Sequence, residues 1–194
     1  MSKVCVLFAA LLCMALSSAA QTQLLPNSAG LRYSEQISNG PTGSCGCFTL
    51  QGVAADASWK LLQLPRGVAL DLAGDFGLED TSKIHDSGYG LTLATYTAGP
   101  RITFKAPSSR PFVQALFGLA HGFDSEFPSG GNNLKTSANS FALDLSAGLD
   151  YPVNPHLSLR VVQVDYLRTA LPNNSNNWQN NLRIGAGITL RFGH

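Results

Sequence analysis

Two short polar runs hold the residue types from which a hydrolase is built. "KIHDSG" sets His85, Asp86 and Ser87 in succession, and "AHGFDSE" sets His121 close to Asp124 and Ser125. A histidine that takes the proton of a serine hydroxyl, with a carboxylate orienting its ring, makes an acyl-transfer nucleophile. That chemistry requires base and nucleophile within hydrogen-bond reach, which adjacent residues on one loop rarely achieve. Both runs have ordinary turn composition. The sequence therefore predicts no catalytic residue and no enzymatic activity.

Cysteine and amide chemistry are confined in the same way. Cys45 and Cys47 in "SCGCF" are two thiols across one glycine. A disulfide there would be strained against the usual Cα separation, and a metal site would need ligands that do not lie nearby in the sequence. An oxidising compartment favours the bridge. "LPNNSNNWQNN" is an Asn-rich link whose Trp178 is either a solvated turn residue or a contact for glycan or a partner surface. No glycine loop for phosphate and no convincing metal-ligand spacing occurs, so no cofactor or metal is expected.

The remaining ionisable residues suggest mutual neutralisation. Asp56, Asp71, Asp75, Asp144, Asp150 and Asp165 stand against Lys60, Arg101, Arg160, Arg183 and Arg191, and all fall on the small, polar face of alternating runs. In "GVALDLAGDFGL" the apolar face is Val68, Leu70, Leu72, Phe76 and Leu78. In "NSFALDLSAGLDY" it is Phe141, Leu143, Leu145, Ala147, Leu149 and Tyr151. Val113, Ala115, Phe117, Leu119 and Phe123 form a third such face, and Leu182, Ile184, Ala186, Ile188, Leu190 and Phe192 a fourth. Period-two alternation is the signature of strands, and no segment has a helical period.

Three further runs alternate only if one residue is slipped, near Gly52, Ala94 and Val162, and a β-bulge is expected at each. The first strand, near residues 29 to 37, has the weakest pattern and is required by parity. Short links at "QLPR", "APSSR" and "VNP" alternate with longer polar links at 38–46, 79–87, 124–137 and 170–180. The fold class expected is all-β: an eight-stranded antiparallel up-and-down transmembrane β-barrel.

Composition decides which face meets water. Of the 194 residues only 13% are charged, about half the usual share of roughly 25%, and 19 are glycine. The net charge of +1 offers nothing to nucleic acid. A soluble lipocalin-like carrier would hide its large apolar side chains inside and wear a charged coat. Here the polar face is mostly Gly, Ala, Ser and Thr, which suits a crowded interior, and charges of both signs can pair there. A lumen plugged by ion pairs is expected, with the apolar face on lipid. Trp59, Phe104, Phe112, Tyr151 and Phe192 fall near the short links, and Phe48, Phe76, Tyr89, Phe123, Phe141 and Tyr166 near the long ones, as two aromatic belts would.

Residues 1–20 carry Lys3, an apolar run from Val4 to Leu16, and small residues Ser18 and Ala20, the pattern of a cleaved secretory signal. Residues 21–194 then form one barrel domain.

The segments "SCGCF", "YTAGPRITF", "PFVQALFGLAHG", "SFALDLSAGLDYPVNPHLSLRVVQVDYLRT" and "NNLRIGAGITLRFG" resemble the small outer-membrane β-barrel proteins of Gram-negative bacteria, in particular those of acidobacteria. The resemblance implies an outer-membrane location, contact with outer-membrane lipid, and delivery by the barrel-assembly machinery. The C-terminal run resembles that machinery's signal, with Gly187, Leu190 and Phe192 at its glycine and hydrophobic positions, though Gly193 and His194 follow the aromatic. The family implies an envelope structural or surface-interaction role with an unnamed surface partner. A lipid- or lipid-A-modifying barrel enzyme is the alternative, and it would require a loop histidine within reach of a serine at the rim.

Overall fold

The computed structural model describes residues 25–39, 47–84, 88–129, 133–173 and 177–192. Eight strands follow one another: β1 (Ser28–Asn39), β2 (Cys47–Leu64), β3 (Val68–Thr81), β4 (Leu91–Phe104), β5 (Arg110–Pro128), β6 (Leu134–Pro152), β7 (Leu157–Thr169) and β8 (Gln179–Arg191). Each pairs antiparallel with its neighbours in sequence, and β1 closes on β8. No described strand has a free edge, so the ladder satisfies its own backbone groups without water. The one helical turn among the described residues, Pro65–Gly67, closes the β2–β3 hairpin with Arg66 (φ 62°) and Gly67 (φ 75°) in the left-handed region.

The register sets the width of the cylinder. From Glu35, cross-strand partners through β2, β3 and β4 lead to Phe123 on β5. Partners through β8, β7 and β6 lead to Val113 on the same strand, a stagger of ten residues (123 against 113). Eight strands with that stagger, ~4.8 Å apart and rising ~3.3 Å per residue, tilt by about 40° and close at a backbone radius of about 8 Å. Side chains from opposite walls meet across such a space.

Large apolar side chains cover the outside: Leu31, Val53, Phe117, Leu119, Leu145 and Ile184 are all exposed. Phe76 and Tyr96, cross-strand neighbours, pack their rings at 5.0 Å on this outer surface.

The bulges differ from those expected. A register shift does occur in β7, where Arg160 and Gln163 both point inward and Val161 and Val162 lie outside between them. Gly52 and Ala94, by contrast, sit in unbroken register, and β2 is irregular between Lys60 and Leu62 instead. A slip at Gly52 or Ala94 is required only if Leu50, Leu91 and Leu93 face lipid. Leu50, Leu91 and Leu93 are buried inside the barrel, which restores the alternation without a bulge. The link expected at 124–137 is mostly hairpin, because β5 continues to Pro128 and β6 begins at Leu134.

Candidate functional site: the filled lumen and its two mouths

Strand alternation delivers the site. At mid-height four guanidiniums and six carboxylates converge inside the wall. Arg32 on β1 grips Asp75 with both ends of its fork, Nη1 to Oδ2 at 2.7 Å and Nη2 to Oδ1 at 3.1 Å. Its Nη2 also donates to Asp165 at 3.4 Å. Arg183 on β8, 1% exposed at its side chain, donates from Nε to Asp165 (2.6 Å), from Nη2 to Asp144 (3.0 Å) and Asp75 (3.2 Å), and from Nη1 to Glu79 (3.2 Å). Arg160 on β7 reaches Asp56 at 2.5 Å and Asp150 at 2.8 Å, and Arg101 on β4 reaches Asp56 at 2.9 Å. Uncharged donors and acceptors complete the layer: Gln163 donates to Asp165 (2.7 Å), Ser34 to Glu79 (2.9 Å), and Ser146 to Asp144. Glycine makes room for it, since a Cβ at Gly77 would stand 2.5 Å from Arg183 Nη1.

Above this layer, toward the long links, the lumen turns apolar. Leu50, Leu91, Leu93, Ala120, Phe127, Ala142, Leu167 and Leu171 form a buried cluster, with Phe48, Ile84 and Ala138 packed against it. Below the layer lies Phe112, 3% exposed, with the guanidinium carbons of Arg101 and Arg160 at 4.7 and 4.8 Å from its ring centroid. Cation–π contacts of this kind join the aromatic to the charged layer. Gly148 opposite has no side chain to obstruct the ring: a Cβ there would come within 2.6 Å of Phe112 Cε1. Beneath Phe112 the short-link end opens as a cavity of about 380 Å³.

The sequence matches the family model of the outer membrane protein beta-barrel domain over residues 6–192. The chain belongs to that family. It is an outer-membrane β-barrel, and the short links are accordingly periplasmic and the long ones extracellular. The barrel is similar to the solved Neisserial surface protein A, with a TM-score of 0.61 and 18% identity over 85% of this chain and 96% of that one. It is also similar to Ail, the attachment invasion locus protein of Yersinia pestis, solved in complex with the heparin analogue sucrose octasulfate, with a TM-score of 0.55 and 15% identity over 87% of this chain and 100% of that one. At these identities the likeness is one of fold. No curated protein matches the chain in sequence.

Within this outer-membrane barrel the residues singled out from the sequence divide by depth. Asp56, Asp75, Asp144, Asp150, Asp165, Arg101, Arg160 and Arg183 meet in the ion-paired layer. Lys60, Asp71 and Arg191 do not. They line the periplasmic mouth, where Asp71 accepts a hydrogen bond from Thr103 (2.8 Å) and Arg191 donates to the Pro155 carbonyl (3.0 Å). Asp71 is the cross-strand partner of Arg101, but that guanidinium turns instead to Gln114 and Asp56. Two network members were missed. Arg32 lies on the weakly patterned first strand, where Gly30, Arg32, Ser34 and Gln36 do alternate inward. Glu79 was assigned to a link, but β3 runs on to Thr81.

The aromatic belts need two corrections. Phe112 faces the lumen, because the two arginines and the gap at Gly148 make an inner site for its ring. Phe48 packs against the inner apolar cluster. Leu190 and Phe192 are exposed on the outer wall, and Gly187 pairs with Arg32 at the closing seam.

At the extracellular rim, His121 Nδ1 lies 2.5 Å from Asn139 Oδ1 and its ring stacks on Phe123. Among the described residues no histidine hydrogen-bonds a serine. Asp124, at φ 58°, accepts from Thr92 Oγ1 at 3.2 Å. His85, Asp86, Ser87 and Cys45 lie outside the described residues, as does the run 1–20; Cys47 is exposed at the start of β2. Trp178 is exposed with the Arg168 guanidinium 4.1 Å over its ring. The link that carries it is held by Gln179, whose side chain bonds both the amide and the carbonyl of Leu171 at 2.9 Å. Tyr89, before β4, is held above the usual phenol range by its hydrogen bond to the carboxylate of Glu126.

Proposed function

We propose that this protein is a non-enzymatic outer-membrane barrel that conducts no solute and acts through its four extracellular links, in envelope integrity or in contact with other surfaces. The observation that carries this reading is the stacking in the lumen. An apolar cluster lies over an ion-paired layer, which lies over Phe112, within a wall of about 8 Å radius. Arg168 and Trp178 offer the extracellular rim a cation–aromatic pair for a surface partner. The engagement of His121 by Asn139 rather than by a serine argues against lipid hydrolysis at that rim.

An export signal in residues 1–20, recognition of Gly187, Leu190 and Phe192 by the assembly machinery, and a disulfide between Cys45 and Cys47 belong to the same proposal. Planar-bilayer recording of the purified, folded protein tests it. A plugged barrel leaves the membrane silent at moderate voltage. Reproducible conductance steps would refute the closed lumen.

A further inference from the structure

The periplasmic mouth is unlike the rest of the lumen in its charge. Lys60, Lys105, Arg110 and Arg191 line the cavity of about 380 Å³ beneath Phe112. Among the described residues none of these four makes an ion pair, whereas Arg101 and Asp150, which also reach the cavity, are already engaged with Asp56 and Arg160. Asp71 is the remaining carboxylate, so the unpaired groups sum to three positive charges.

Two of the lining residues also hold unused hydrogen-bonding groups. Arg191 spends Nη2 on the Pro155 carbonyl, while its Nε and Nη1 are closed off from solvent and bond no protein atom. Thr189, 1% exposed, has its Oγ1 in the same condition. Buried donors without acceptors cost stability, and native structures rarely leave them so. Nε and Nη1 lie on different edges of the guanidinium, so each offers a separate charge-assisted hydrogen bond to an oxyanion. Three unpaired charges exceed what a single monocarboxylate neutralises and suit a phosphate.

We propose that this mouth binds a phosphate group presented from the periplasmic side, with Arg191 and Thr189 as hydrogen-bond donors and Lys60, Lys105 and Arg110 supplying the attracting charge. The group reaches the mouth either as a soluble phosphate or as the headgroup of a phospholipid in the inner leaflet. The chemistry recognised is the same.

The test uses the full chain folded in an uncharged maltoside detergent, which brings no phosphate of its own. Inorganic phosphate is titrated by calorimetry in one arm, and phosphatidylglycerol doped into the micelles is titrated in the other. Lys60→Gln and Arg191→Gln are compared with Lys135→Gln at the opposite rim. Lys60 is exposed and outside the ion-paired layer, so its variant keeps the barrel folded, as a heat-dependent shift in gel mobility verifies. Saturable binding of inorganic phosphate, weakened about tenfold in both mouth variants and unchanged in Lys135→Gln, supports the site with a soluble source. The same pattern with phosphatidylglycerol alone supports it with a headgroup source. The proposal is overturned if neither probe binds saturably, if chloride competes equally with phosphate, or if both mouth variants bind as the parent does.

Discussion

Arg32 and Asp75 join the first strand to the third across the inside of the barrel, fork to fork, at 2.7 and 3.1 Å. Both are buried, and Arg32 also faces Asp165 at 3.4 Å and Asp56 at 3.6 Å. Removing Arg32 leaves three buried carboxylates with one cation fewer to neutralise them, and breaking a buried pair in this way costs about 3–5 kcal/mol. Arg32→Gln is expected to lose about that much, measured as the shift in urea-unfolding free energy of the barrel folded into lipid vesicles. A loss below ~1 kcal/mol would mean that water solvates the layer.

Phe112 separates the ion-paired layer from the periplasmic mouth, and its ring depends on the space at Gly148. Gly148→Ala forces ring or backbone to move and is expected to cost about 1–3 kcal/mol. Phe112→Ala leaves a cavity and ends both cation–π contacts, at about 3–5 kcal/mol. The same unfolding assay reads both, and the double variant is expected to cost less than their sum, because the alanine at 148 no longer meets a ring.

The outer wall carries its own prediction. Ile184 lies between the lumen-facing Arg183 and Gly185 in sequence and is 46% exposed on the opposite face. Ile184→Arg is expected to cost about 2–4 kcal/mol in a bilayer, and Val153→Arg, in a short link, close to nothing. Equal effects at the two positions would place Ile184 away from acyl chains.

At the extracellular rim, Arg168→Gln removes the cation from the face of Trp178. An exposed contact of this kind contributes about 0.5–1 kcal/mol. Stability is expected to change little, while quenching of Trp178 fluorescence by acrylamide rises, with Trp59 as the internal reference on the other rim.

The eight strands and their order were legible because the period-two pattern is imposed by the pleat itself, and lipid rewards one face of it without exception through most of the wall. The exceptions sit where that reward changes. Leu50, Leu91 and Leu93 look like lipid-facing residues but belong to an apolar layer inside the extracellular end, so bulges were inferred where none exist. Glu35 interrupts the outer face of β1 between Tyr33 and Ile37, which hid the strand's inner row and with it Arg32. Alternation marks which charges share a face, but depth along the barrel is set by register, and register is a long-range property. That is why Lys60, Asp71 and Arg191 could not be told from the central group, nor the partner of any arginine named.

The orientation of the wall can be read from spin-label accessibility at Ile184. In a background with Cys45 and Cys47 replaced by serine, a nitroxide on Ile184→Cys is compared with one on lumen-facing Thr97→Cys in the barrel folded in lipid. Acyl chains concentrate oxygen and exclude a water-soluble nickel chelate. With Ile184 on acyl chains, the label at 184 is relaxed by oxygen and untouched by nickel, and the label at 97 is shielded from both. Relaxation of the label at 184 by nickel, without preference for oxygen, would contradict that orientation.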